Sequence, residues 1–248
     1  MDLGLNGKTA LVTGGSSGLG LGTAAALADE GVNVVIASRS REKIDAALLK
    51  HPKILSGIEC DLSTPDGVDG LVSTAIARLG QVDIVILNAG GPKAGGYEVG
   101  TPEAIRGALE QNLVSMATLA QAAVAPMIER DWGRILAITS LWVRQPSPGL
   151  ILSNTARSGL TAFLKTMATQ VARHGVTVNT IQPGFHQTDR LMALNGGDIS
   201  RVADAVPSKT VGDPYDFGKV AAFMVSEPSR FVNGVSLWVD GGSYTGLQ

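Results

Sequence analysis

TGGSSGLG (Thr13–Gly20) separates a short apolar, β-prone run, KTALV (8–12), from GTAAALA (22–28), a stretch of high helix propensity. A strand, a glycine-rich turn and a helix in that order bring free backbone N–H groups and the positive end of a helix to one point. Such a point favours phosphate. Gly14, Gly18 and Gly20 permit the sharp turn and leave space where a Cβ would push a ligand away from the backbone. Ser16, Ser17 and Leu19 complete the candidate cradle. A ligand-free turn uses glycine as well, and it is the strand–helix context that favours a nucleotide site.

The rest of the chain extends this pattern. Apolar strand-like runs fall at 8–13, 32–38, 54–59, 82–87, 134–140, 176–181 and 235–239, with helical stretches near 18–30, 41–49, 65–79, 102–130, 151–174 and 214–226. Strand–helix–strand repetition requires parallel pairing with right-handed crossovers, hence one doubly wound parallel sheet of about seven strands in a single domain over 1–248. The 248 residues are 44% hydrophobic and 17% charged, enough for one well-buried domain, and the net charge of −2 without a basic run gives nucleic acid no electrostatic hold. Cys60, the single cysteine, excludes an internal disulfide and fits a reducing compartment. With no long apolar span and no signal-like start, a cytoplasmic protein without membrane contact is expected. No metal site is expected.

Ligands of doubly wound sheets bind beyond the carboxyl ends of the strands. The second strand ends at Ser38-Arg39, a hydroxyl and a guanidinium where a carboxylate would hold both ribose hydroxyls of NAD(H). That pair suits the 2′-phosphate of NADP(H) instead. Asp61 and Leu62 close the third strand; Asp61 either accepts from an adenine amino group, with Leu62 against the ring, or caps the turn beginning SerThrPro (63–65). The fourth strand runs into Asn88-Ala89-Gly90, a second glycine turn at the same edge.

Thr13–Gly20, Asn88-Ala89-Gly90, Asn112, Ser140, Pro183-Gly184 and the closing ValAspGlyGly (239–242) together resemble the short-chain dehydrogenase/reductase family, nearly end to end. The resemblance implies a Rossmann-type domain that binds NAD(P)(H), a small-molecule carbonyl or alcohol substrate, and a homo-oligomer, dimer or tetramer. It implies a catalytic set of Asn, Ser, Tyr and Lys. Asn112 matches the asparagine that anchors a proton relay through water. Ser140, at the end of the fifth strand, matches the serine that hydrogen-bonds a substrate carbonyl. Pro183-Gly184, His186 and Thr188 match the segment that touches the nicotinamide carboxamide.

The chain departs from this family at one place. Thirteen residues beyond Ser140, where the tyrosine is expected, stands Ser153, and four later, where the lysine is expected, stands Arg157. No tyrosine lies between Ser140 and Arg173. A serine hydroxyl is a far weaker acid than a phenol of pKa about 10, and its oxygen lies roughly 4 Å nearer its Cα, judged from bond lengths. Arg157 keeps a positive charge one helical turn on, able to hold a nicotinamide ribose or steady an alkoxide but not to shuttle protons. His186 and Tyr97 are the nearest titratable alternatives, His186 being read as a water-exposed loop residue. A nucleotide-holding protein without turnover, or a subunit paired with an active homologue, is the alternative to an oxidoreductase acting on a ketone, a secondary alcohol or a 3-oxoacyl thioester. Residues 185–212 are expected to form a lid, with Phe185, Leu191, Met192, Leu194, Trp142 and Val143 around an apolar pocket. Arg144 and Arg190 are read as solvated, with an anionic substrate tail as the other option. On the helix that carries Arg157, the series Ala156, Leu160, Phe163, Leu164, Met167 and Val171 has the spacing of a buried stripe.

Overall fold

A computed structural model describes residues 1–247. The elements run β1 (Thr9–Thr13), α1 (Gly18–Asp29), β2 (Asn33–Ser38), α2 (Arg41–Lys50), β3 (Ser56–Glu59), α3 (Pro65–Val68), α4 (Leu71–Leu79) and β4 (Ile84–Leu87). They continue with α5 (Pro102–Leu109), α6 (Ser115–Glu129), β5 (Gly133–Ile138), α7 (Ile151–Val171), β6 (Val176–Pro183), α8 (Asp189–Leu194), α9 (Ser200–Ala205), α10 (Pro214–Met224) and β7 (Ser236–Val239). One sheet of seven strands has the order β3-β2-β1-β4-β5-β6-β7, every pair parallel. The order reverses between β1 and β4, which opens a crevice at their carboxyl ends.

The inner strands are continuous Val/Ile/Leu runs because both faces of the sheet are covered. Leu11, Val35 and Val85 point to a core shared with Leu119 of α6 and Leu160 and Leu164 of α7. Their neighbours Val12, Ile36 and Ile86 point the other way, to Ala24 and Leu27 of α1 and Phe217 and Ala221 of α10. On α7, Ala156, Leu160, Leu164, Met167 and Val171 are buried and Phe163 packs beside them, as the stripe predicts. Among the described residues no helix is long and apolar enough to cross a membrane.

The strands and longer helices lie where the sequence places them, several ends do not, and α8 and α9 fall in the stretch 185–212, where the sequence predicts no helix. The stretch 65–79 is broken at Gly70, whose φ of 74° is left-handed and ends any helix. The stretch 102–130 is divided by a π-turn over Glu110–Val114 that widens the helix at Asn112. β5 stops at Ile138, so Ser140 does not end the strand; it caps a short 3-10 turn, Leu141–Val143, and accepts the Trp142 N–H at 3.2 Å. β3 ends at Glu59, which leaves Asp61 and Leu62 in the loop beyond it.

Candidate functional site

At the crevice the two glycine turns are tied together. The Thr13 hydroxyl donates to the Asn88 carbonyl and accepts the Asn88 N–H, both at 2.8 Å, and Asn88 Nδ2 donates to the Gly14 carbonyl at 3.2 Å. Gly14 and Gly18 have φ of 56° and 53°, a region that side chains other than glycine's rarely enter. A Cβ on Gly20 would collide with the Gly14 carbonyl oxygen and would lie 2.7 Å from Asn88 Nδ2. The glycines therefore let the α1 N-terminus press against β1 and β4. Ser16 Oγ donates to Ser38 Oγ at 2.8 Å, joining the turn to the end of β2.

Two cavities flank the Asn88–Gly90 turn. One, of about 300 Å³, is lined by Gly14, Ser16, Ser17, Ser38, Arg39, Ser40, Lys43, Cys60, Asp61, Leu62, Gln111 and the turn itself. Arg39 and Lys43 supply two cations there, and the end of β2 carries no carboxylate. Lys43 escaped the sequence reading; it stands in the first turn of α2, just after Arg39, and lines the same cavity. Asp61 takes the capping alternative: its Oδ1 accepts from the Ser63 N–H at 2.9 Å and the Ser63 hydroxyl at 2.8 Å. These bonds hold its carboxyl below the usual range, and the residue still borders the cavity. The Cys60 thiol donates to the Gly67 carbonyl at 2.7 Å, and burial pushes it up to about 11, so it is not a nucleophile.

The other cavity, of about 260 Å³, is lined by Ser17, Gly18, Leu19 and the turn on one side, and by Ser140, Ser153, Arg157, Pro183, Gly184, His186 and Thr188 on the other. Trp142, Leu150, Phe185, Leu191 and Leu194 form its apolar wall, with Trp142 and Phe185 meeting edge to face at 6.0 Å. Met192 and Val143 lie outside that wall. One turn of α7 places Arg157 over Ser153: Nη1 donates to Ser153 Oγ at 3.1 Å, and Nη2 donates to the Ala89 carbonyl at 3.1 Å. Burial and then the nearby Arg190 guanidinium lower the Arg157 pKa to about 10.

Asn112 is buried but borders neither cavity, and neither atom of its side-chain amide has a protein partner. A buried amide in that position costs about 1–3 kcal/mol unless a polar group meets it. His186 corrects the expectation of an exposed loop histidine. It is 6% exposed, bridges to Gly212 and packs edge-on against Phe217 at 5.0 Å. Burial holds its imidazole below the usual value. Tyr97 is 87% exposed and lines neither cavity, so the expectation that it faces the site fails. Of the other two tyrosines, Tyr215 donates to Asp29 at 2.7 Å and Tyr244 stacks on Trp238. Among the described residues no phenol borders the cavity that holds Ser140 and Ser153.

Arg190 differs from its expected solvated state. Although exposed overall, it reaches back from α8 and donates to the Gly91 and Pro92 carbonyls at 3.0 and 2.9 Å, so that it borders the same cavity as Arg157. Arg144 lies over Trp238 at 5.5 Å, away from that cavity.

A parallel doubly wound sheet whose first glycine turn opens on a divided crevice defines a dinucleotide-binding class of protein. Residues 8–198 match the model of the family described as short chain dehydrogenase, and the chain belongs to that family. It is 31% identical over 240 residues to the 3-oxoacyl-[acyl-carrier-protein] reductase FabG of Vibrio cholerae, covering 97% of this chain and 98% of that one. It is 32% identical over 239 residues to nodulation protein G of Azospirillum brasilense, covering 95% and 97%. Among solved structures, the L-sorbose reductase of Gluconobacter frateurii, complexed with NADPH and L-sorbose, superposes with a TM-score of 0.92 at 30% identity over the full length of both chains. YwfH, an NADPH-dependent reductase involved in bacilysin biosynthesis, superposes with a TM-score of 0.91 at 26% identity, covering 97% and 99%.

Proposed function

We propose that this chain is an NADP(H)-dependent oxidoreductase that interconverts a ketone and a secondary alcohol, with an altered proton-transfer site. The observation that carries the reading is one groove with a glycine cradle at its centre, Arg39 and Lys43 at one end, and Ser140, Ser153 and Arg157 at the other. The NADPH-dependent reductases that it resembles support the same cofactor.

In this reading the N–H groups of Ser17–Leu19 hold the pyrophosphate, Ser38, Arg39 and Lys43 the 2′-phosphate, and Leu62 the adenine, with Asp61 Oδ2, the oxygen that its turn does not use, beside it. Asn88, Ala89, Gly90 and Arg157 take the nicotinamide ribose, and Pro183, Gly184, His186 and Thr188 the carboxamide. NADP(H), when bound, supplies or accepts a hydride. The chain's own residues do the rest. Ser140 donates its hydroxyl hydrogen to the substrate carbonyl. Ser153 Oγ is already an acceptor for Arg157, so its own hydrogen is free to point into the cavity, and solvent water replenishes it. Arg157 steadies negative charge on the substrate oxygen, and Asn112 anchors water from inside the widened helix. Residues 185–212 close over the substrate.

A serine in place of a phenol forgoes much of the about 10²–10⁴-fold that a matched general acid contributes. We therefore expect slow turnover that Ser153→Tyr with Arg157→Lys increases by tenfold or more (order of magnitude, from the same contribution). The lack of a phenol at the cavity is also what favours a second reading, a nucleotide-holding protein without turnover or a partner of an active homologue. NADPH binding followed by fluorescence, then NADPH absorbance against a panel of ketones and acyl thioesters, separates the two. Saturable binding with no oxidation by any panel member supports the second reading. Arg39→Ala is expected to weaken NADPH by roughly tenfold, the value of a charge-assisted contact to phosphate. Unchanged NADPH affinity in that variant removes the 2′-phosphate assignment.

A further inference from the structure

Two guanidinium groups border the cavity that holds Ser140, and both are held by backbone carbonyls rather than by acids. Arg157 is fastened to Ala89, and Arg190 to Gly91 and Pro92, so the two cations grip one strand-end loop. Among the described residues no carboxylate lies within 4.0 Å of either group. Asp189 borders the cavity too, but it is exposed and pairs with neither cation. The low pKa of Arg157 has the same origin, since its burial and the charge of Arg190 both act on it with no anion to offset them. A cationic wall of this kind in a partly dry cavity is stabilised by an anion brought in with the ligand.

The sequence accommodates Arg190 at a specific point. A Cβ on Gly91 would run into the Arg190 guanidinium, so a side chain there would push the guanidinium from its present place. The opposite side of the cavity is apolar, from Trp142, Leu150 and Phe185. The space of about 260 Å³ serves both the reactive end of the cofactor and the reacting end of the substrate.

We propose that the substrate is an oxo acid or hydroxy acid with a free carboxylate, held by Arg190 at the mouth of the cavity, while Arg157 keeps the nicotinamide ribose and the substrate's carbonyl or hydroxyl group meets Ser140. The proposal rests on the oxidoreductase reading above and narrows it. The FabG relatives are described as reducing a 3-oxoacyl carrier-protein thioester, in which the carboxyl group is neutral; here the carboxyl group is expected to be charged and free. The shared chemistry of the two cations is anion binding, and the cofactor's pyrophosphate is the other anion that could claim it.

Calorimetric titration of the NADP⁺-loaded protein tests the proposal, since NADP⁺ with an oxo acid cannot react. The probes are acetoacetate against acetoacetamide and 2-oxobutanoate against 2-oxobutanamide. At least one acid is expected to bind about tenfold or more tightly than its amide, the value of a charge-assisted hydrogen bond. Arg190→Gln, which removes the charge, and Gly91→Ala, which keeps the charge but displaces it, are each expected to bring that ratio below about threefold by weakening the acid and not the amide. Arg190→Lys is expected to retain part of the preference. Acid and amide binding alike in both pairs overturns the proposal. So does an Arg190→Gln protein that loses NADP⁺ affinity as steeply as acid affinity, because the cation then serves the pyrophosphate. The same titrations without NADP⁺ keep the two readings apart. Failure to bind NADP⁺ removes the oxidoreductase reading, and the acid–amide ratio of the free protein still decides the carboxylate site.

Discussion

The residue that best shows what a sequence withholds is His186. Its place in the loop after Pro183-Gly184 suggests exposure to water, yet pairing with Gly212 and the ring of Phe217 bury it, and both partners lie more than twenty residues further along the chain. Arg190 is similar, because the carbonyls that hold it belong to the loop after β4. Ser153 and Arg157, by contrast, were legible: spacing from Ser140 and the i, i+4 rule suffice to place one over the other. The burial of His186 has a consequence for stability. Its pKa is depressed in the folded chain, mainly by desolvation, with the Gly184 carbonyl opposing the shift in part. The unfolded chain, with an imidazole near 6.5, then binds more protons than the folded one as pH falls. Stability is accordingly full above about pH 6.5 and declines as pH drops toward the lower native value. His186→Leu is expected to lose less of its melting temperature than the parent between about pH 7.5 and pH 5.5. Equal losses in the two proteins would show that His186 contributes nothing to the acid sensitivity.

At the scale of elements, periodicity and turn chemistry placed every strand and the main helices, because continuous apolar strands alternate with amphipathic helices along the chain. What they missed were changes within a helix and the two short helices α8 and α9 inside the segment expected to be a lid. The π-turn at Glu110–Val114 depends on how Asn112 is met inside the fold, and no local propensity encodes it. The first crossover was the most legible element, since each of its glycines answers to a contact. Gly20 gives the sharpest test. A methyl group there meets the Gly14 carbonyl and the Asn88 Nδ2 that donates to it, while the Thr13 hydroxyl holds the Asn88 backbone in place, so neither can yield cheaply. Gly20→Ala is expected to destabilise the fold by about 1–3 kcal/mol, the cost of overpacking, and to weaken NADPH by at least about tenfold through displacement of the α1 N-terminus. Denaturant melts and NADPH titration on one preparation read both effects. A variant with parental stability and affinity would mean that β1 and α1 can separate without consequence to the cradle.

For the whole molecule, the groove divides the chain's charges in a way that predicts how ligand and fold are linked. Arg39 and Lys43 stand at one cavity and Arg157 and Arg190 at the other, joined by the Asn88–Gly90 turn, on a chain whose net charge is −2. Any ligand that spans the groove meets the ends of β2, β5 and β6 and the loops after β1 and β4 at once, so its binding energy is shared by most of the sheet and appears in global unfolding. A ligand at about a hundred times its dissociation constant adds roughly 2.7 kcal/mol to the stability of the state that binds it. For a domain of this size each kcal/mol raises the melting temperature by about 2–4 °C. NADPH at that excess is therefore expected to raise the melting temperature by roughly 5–10 °C. NADH at the same concentration is expected to raise it distinctly less, because it offers no 2′-phosphate to Arg39 and Lys43. Arg39→Ala should reduce the NADPH shift toward the NADH value while leaving the NADH shift nearly unaltered. Equal shifts with both nucleotides in the parent protein would deny the cations at β2 any part in cofactor choice, and no shift with either would remove the nucleotide from the groove altogether.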